Sequence, residues 1–344
     1  MGECAPNYLA TNMHPQLHLM RAAGFLLPRR DLMIQRIASI GLCLALVAAP
    51  ATGSDLASSS EGWSPETRPE MTIRKTVQEV RLGFHVSSQN GRPVPELHPG
   101  QFSLYEDGQL IANVTGFYAD QNLPLRLLLL IDASDSMTGG FGSERKAAAN
   151  FLEKVVRPDV DRSAVVAFST HASIQLGANA TAPEKLRLIG DLHSSGLTAL
   201  FDSICEGAAR IPAYDHGTTL TRRVLVLLSD GDDNYSLHSL RDAIAAAQNS
   251  DVVIYAISPH DPRLLPGNAN LEELTAATGG RVFFLKKYEK SPEAFAQIEQ
   301  EIRSEYAVTF HPEGKLCGFH SVRVEPTDSN QRARSREGFY GDCL

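Results

Sequence analysis

Three short clusters of oxygen-bearing side chains punctuate the middle of the chain. They are Asp132-Ala-Ser134-Asp-Ser136, Gly196-Leu-Thr198-Ala-Leu200 and Ser229-Asp230-Gly231. Hydroxyl and carboxylate oxygens suit a hard divalent cation such as Mg2+, which takes octahedral oxygen shells and keeps several waters. Three neutral hydroxyls leave a dication's charge intact, and two carboxylates acting through waters offset it only in part. Such a centre stays electrophilic, so a carboxylate from a partner could replace a water and form a charge-assisted link. Each cluster alone also has a plainer reading. Asp-x-Ser-x-Ser makes a loop of hydroxyl caps, Thr198 an N-cap, and Asp230-Gly231 a turn. The weight lies in their order and in the elements they follow.

Those elements alternate. Leu125 to Ile131 is an apolar run broken only by Arg126, as in a strand buried on both faces. A helix is expected from Glu144 to Val156, a strand over Ala164–Phe168 and an edge segment over Ser173–Leu176. Helices over Pro183–Leu192 and Leu200–Ile211 lead to a purely apolar strand, Val224–Leu228. Then come helix Leu237–Asn249, strand Val252–Ile257, helix Leu271–Thr278 with Gly279-Gly280 as its stop, strand Val282–Leu285 and helix Pro292–Arg303. This alternation implies an α/β fold: a doubly wound, mostly parallel sheet with helices on both faces. In such sheets ligands collect at the carboxyl ends of the strands, where all three clusters fall.

Taken together, the clusters resemble the metal-ion-dependent adhesion site of the von Willebrand factor A domain. The resemblance covers about residues 124–304. It implies that the hydroxyls of Ser134, Ser136 and Thr198 bind a divalent cation, Mg2+ or else Mn2+ or Ca2+, with Asp132 and Asp230 acting directly or through waters. It implies a protein partner whose Asp or Glu completes the metal shell. Asp135 stands where many relatives have Gly, at a position that supplies no ligand. The flanks look similar to an acidobacterial exported subfamily, through Phe102–Gly108 and through Arg334-Ser-Arg336-Glu-Gly338-Phe339-Tyr340.

Competing chemistries find less support. Asp230-Gly-Asp232-Asp233-Asn234 fails as a calcium-binding helix–loop–helix, because Tyr235 and Arg241 stand where that loop needs Gly and Glu. Asp232 and Asp233 are expected to be rim charges. No Gly-x-Ser-x-Gly, His-Glu-x-x-His, Cys-x-x-Cys or phosphate loop occurs. His85, His171, His193 and His260 are scattered and read as structural or surface residues. The expectation is a non-enzyme that binds a protein. The alternatives are an envelope scaffold with a structural metal and, behind it, a metal-dependent hydrolase.

The flanks are β-rich. Val80, Leu82, Phe84 and Val86 alternate with more polar residues, and Phe102, Leu104 and Ile111 mark short strands around the hairpin dipeptide Asp107-Gly108. Tyr306, Val308 and Phe310 alternate again, as do Val322 and Val324. Arg332, Arg334 and Arg336 read as one solvated face of the tail. The segment 72–123 is therefore expected to pack on its neighbour or to share a partial sandwich with residues 305–344.

Residues 37–49 form an uncharged apolar run after Arg36, and Ala49-Pro50-Ala51 offers a small-x-small cleavage pattern. Residues 1–51 read as an export signal, and a start at Met33 would make it compact. Left uncleaved, it would be the chain's membrane anchor. Residues 52–71, rich in Ser, Pro, Glu and Thr, read as a flexible leader. The expected location is secreted, periplasmic or at the cell envelope. There Cys317 and Cys343, which flank the last strands, would pair, while Cys205 packs as a small apolar residue. The 344 residues carry 32 basic against 40 acidic side chains, a net charge of −8. That argues against a nucleic-acid partner, whose phosphates call for clustered Lys and Arg.

Overall fold

The computed structural model describes residues 79–119, 122–139, 141–170, 172–177, 180–215, 220–259, 267–285, 290–312 and 317–341. The export signal, the leader and Cys343 lie outside the described residues. Four strands come first: β1 (Val80–Ser88), β2 (Phe102–Glu106), β3 (Gln109–Leu110) and β4 (Val114–Ala119). The alternation in β1 places Leu82, Phe84 and Val86 in a core. Asp107 and Gly108 turn β2 into β3 with φ of 47° and 80°. Two positive φ values in succession are what a tight hairpin of this kind requires.

The α/β part follows in chain order. It comprises β5 (Leu125–Asp132), α1 (Phe141–Val155), β6 (Arg162–Phe168), β7 (Ala172–Leu176), α2 (Ala182–Asp191) and α3 (Leu200–Arg210). It continues with β8 (Arg222–Leu228), α4 (Leu240–Asn249), β9 (Val252–Ser258), α5 (Gly267–Thr278), β10 (Val282–Phe284) and α6 (Ser291–Ile302). The sheet order is β10-β9-β8-β5-β6-β7, with β7 antiparallel at the edge and the other five strands parallel. The expected α/β fold is the observed one.

The apolar run in β5 has a direct cause. Leu125, Leu127, Leu129 and Ile131 pack with Phe151 of α1 and with Phe295 and Ile298 of α6. Leu128 and Leu130 face the other way, toward Ile204 of α3, Ala247 of α4 and Leu271 of α5. Both faces of the strand are covered, so no position can be polar without burying a polar group. Each such leucine contributes about 1.5–3 kcal/mol of transfer free energy. This central strand ends on Asp132, at the edge where the helices begin.

Three helix starts differ from expectation by about a turn, and the first is α1, which opens at Phe141 rather than Glu144. α4 begins at Leu240 rather than Leu237, because Ser239 caps it and Asp242 returns the bond to the Ser239 amide. The Asp202 carboxylate captures the Leu237 and His238 amides, at 3.0 and 2.9 Å. Leu237 is left 95% exposed, outside the helix. α5 begins at Gly267, one turn before Leu271.

The chain closes with β11 (Tyr306–Phe310), β12 (Gly318–Pro326), β13 (Gln331–Ser335) and β14 (Gly338–Gly341). These join the first four strands in two sheets, β13-β1-β11-β4 and β14-β12-β2-β3. Their shared core holds Phe84, Leu104, Tyr306, Phe310, Val322 and Phe339. The flanks thus make one sandwich from both ends of the chain. Cys205 is buried, as expected. Cys317 is disulfide-bonded, to a cysteine outside the described residues.

The arginines of the tail correct one expectation. Arg332 is exposed, but Arg334 and Arg336 are not part of a solvated face. Arg334 pairs with Glu301 of α6, and its Nε donates to the Gly279 carbonyl. Arg336 pairs with Asp251 at 2.9 Å and donates to the Arg81 carbonyl. Alternating arginines here form a charged layer between the sandwich and the α/β sheet. No helix among the described residues is long and apolar enough to cross a membrane.

Candidate metal centre

Asp132 terminates β5 with no exposed surface. Both of its carboxylate oxygens are held: the Ser134 amide donates to Oδ1 at 2.9 Å, and the Ser229 hydroxyl to Oδ2 at 2.7 Å. Burial nevertheless pushes Asp132 up to about 6, because desolvation outweighs those hydrogen bonds and the nearby Asp230 charge adds to it. The chain then turns through the 3₁₀ segment Asp135–Gly139. Ser134 is buried, Ser136 is exposed, and their hydroxyl oxygens lie 3.1 Å apart.

Backbone bonds bring the second cluster beside the first. The Ala133 amide donates to the Phe168 carbonyl at the end of β6, and the Ser195 amide to the Ala133 carbonyl at 2.7 Å. The Asp135 amide donates to the Gly196 carbonyl at 3.1 Å. Gly196 makes this approach possible: its φ is 89°, and a Cβ there would lie 2.7 Å from the Thr170 hydroxyl. Thr198 follows, 3% exposed. It is not the cap of α3, since Ala199 occupies the N-cap position.

The third cluster joins the second in turn. The Thr198 amide donates to the Asn234 side chain at 2.8 Å, and the Thr198 carbonyl accepts from the Asn234 and Tyr235 amides. Asp230, just beyond β8, is 1% exposed and accepts the Asp232 amide at 3.1 Å. Gly231 must be glycine. Its φ is 82°, and a Cβ would stand 2.1 Å from the Gly267 carbonyl oxygen.

The five expected residues, Asp132, Ser134, Ser136, Thr198 and Asp230, therefore share one edge of the sheet in three interlocked loops. One neighbour departs from expectation. Asp233 is no rim charge: its carboxylate accepts the Phe201 amide at the start of α3 and both the amide and hydroxyl of Ser236. Ser229 serves chiefly to hold Asp132.

Glu144 was not anticipated. It lies in the first turn of α1, only 2% exposed, and neither carboxylate oxygen has a hydrogen-bond partner among the described residues. Burial and then the charges of Asp132 and Asp230 push it up to about 7. No spacing rule marks it, because an acid in the first turn of a helix is usual on electrostatic grounds alone. Buried carboxylates without a compensating cation are costly. The donor set of oxygens, with the unpartnered Glu144 acid near Asp132 and Asp230, fits a hard divalent ion.

A second group of potential ligands, Glu106, Asp107 and His320, sits in the sandwich. There Asp107 accepts from the amide and hydroxyl of Ser321 and stands 2.9 Å from His320 Nδ1, so it works as a turn-closing residue.

Residues 127–297 match the von Willebrand factor type A domain. No curated protein sequence matches the chain. Solved structures with a similar fold include a von Willebrand factor type A protein from Catenulispora acidiphila, at 15% identity and TM-score 0.44, covering 78% of this chain and 76% of that one. Another is proximal thread matrix protein 1 from the mussel byssus, described with a zinc-occupied MIDAS motif. It is 18% identical with TM-score 0.45, over 57% of this chain and 50% of that one. A third is the pilus adhesin SpaC from Lactobacillus rhamnosus GG, 12% identical with TM-score 0.43, over 70% and 41%. This chain thus spans about half or less of the length of the mussel protein and the adhesin. On the strand order, the helices on both sheet faces and the family match, residues 127–297 have the fold and the sequence pattern of the von Willebrand factor type A domain.

Proposed function

We propose that the chain is an exported binding protein that engages a protein partner through a divalent cation at this sheet edge. The observation that carries the reading is the convergence of Asp132, Ser134, Ser136, Thr198 and Asp230 around buried, uncompensated negative charge. When bound, Mg2+ or a similar ion would supply an electrophilic position for an incoming carboxylate. The protein's own part is to hold the donors in place. Ser229 and the Ser134 amide fix the Asp132 oxygens, and the Asn234 side chain fixes the Thr198 backbone. Exposed Ser136 marks the side from which water and a partner reach the centre. The flanking motifs and the apolar run at residues 37–49 support export in the manner of the acidobacterial subfamily.

Immobilised protein should retain peptides bearing Asp or Glu, but not their Asn or Gln counterparts, in millimolar Mg2+. EDTA or Asp132→Ala should abolish that retention while the circular dichroism stays native. Equal retention in EDTA would refute the reading and favour a constitutive scaffold.

A further inference from the structure

The five oxygen donors expected from the sequence account for two carboxylates, and a third buried one, Glu144, stands close enough to feel the charge of both. It is 2% exposed, both its oxygens are closed to solvent, and neither has a partner among the described residues. The charges acting on it are those of Asp132 and Asp230, both negative. A glutamate with only a structural role would be expected to accept hydrogen bonds, as Asp161 does from Leu125, Arg157 and Arg303 in this same molecule. An acid kept bare beside two other acids needs a positive counterpart. The basic neighbour in sequence is not one: Arg145 turns its guanidinium to the Gly190 and Leu192 carbonyls.

We propose that Glu144 belongs to the metal site, as a third buried carboxylate that holds the divalent cation directly or through one water. This inference rests on the metal-site reading and extends it. The added negative charge retains the ion without any partner present, and the exposed Ser136 side keeps the position open to an incoming carboxylate. The same burial excludes Glu144 as a base for an external substrate, because its oxygens do not reach the surface.

The test is calorimetric titration of Mn2+ alone into the metal-stripped full chain, with melting temperature in EDTA as a second readout. Glu144→Gln keeps the shape and removes the charge. It should weaken Mn2+ binding about tenfold or more while raising the melting temperature in EDTA, since a buried like charge has gone. Glu144→Asp, which keeps the charge, should bind more tightly than Glu144→Gln. Affinity of Glu144→Gln within about twofold of wild type would overturn the proposal, as would a lower melting temperature in EDTA with unchanged affinity, which marks a purely structural glutamate. Failure of the wild type itself to bind Mn2+ would instead sink the metal-site reading. The two failures are therefore distinguishable.

Discussion

Acidification from pH 7 to pH 4 is expected to cost the folded chain about 3 kcal/mol through His85 alone. His85 lies in β1, 4% exposed, with its Nε2 buried and without a hydrogen-bond partner among the described residues. Burial, then the guanidinium charges of Arg334, Arg281 and Arg222, lower its pKa from 6.5 to about 3. The unfolded chain therefore takes up a proton near pH 6.5 that the folded chain refuses until about pH 3. Stability present above pH 6.5 is lost progressively as the pH falls through that window. Asp132 and Glu144, whose pKa values are raised, act in the opposite sense. Their contribution is common to wild type and variant and cancels in the difference. Denaturant unfolding at both pH values should show His85→Gln losing about 3 kcal/mol less than wild type over the interval. Equal acid losses would contradict this account of the charged layer.

Removing the acid at the centre of that layer should cost still more at neutral pH. Glu301, on α6 and 4% exposed, pairs with Arg334 from β13 and with Arg281 at 2.7 Å. Glu301→Ala leaves two guanidinium groups facing each other in a poorly hydrated layer, which is expected to destabilise the chain by about 3–5 kcal/mol. Glu301→Gln retains the volume and should recover little of the loss, because the missing quantity is charge. Chemical denaturation at neutral pH decides the matter. A loss below about 1 kcal/mol in Glu301→Ala would mean that the arginines find other acids or water.

These same residues show what the sequence could and could not reveal. β5, β8 and β9 are legible because a strand covered on both faces admits mostly apolar side chains, and Leu127–Ile131 and Val224–Leu228 meet that demand without exception. The three oxygen-bearing clusters are legible because each follows such a strand or precedes a helix. β4 escapes notice, since Val114–Ala119 is mostly exposed and carries no strong alternation. The start of α4 is misplaced because its stop signal comes from Asp202, 35 residues earlier in the chain. Arg334 and Arg336 alternate as a solvated face would, and only their acid partners on α6 and before β9 reveal a buried layer. Glu144 is the sharpest case. On one helix it reads as an ordinary first-turn acid, and its isolation depends on two aspartates brought to it from β5 and β8.

The central claim is that three loops build one divalent-cation site. Calorimetric titration of Mg2+ into the metal-stripped chain at neutral pH, repeated on Thr198→Ala, tests it most directly. The account predicts one cation per wild-type chain and loss of that binding when the Thr198 hydroxyl is removed, with the fold intact. A wild-type chain that takes up no Mg2+, or a Thr198→Ala variant that binds it as tightly as wild type, would contradict it.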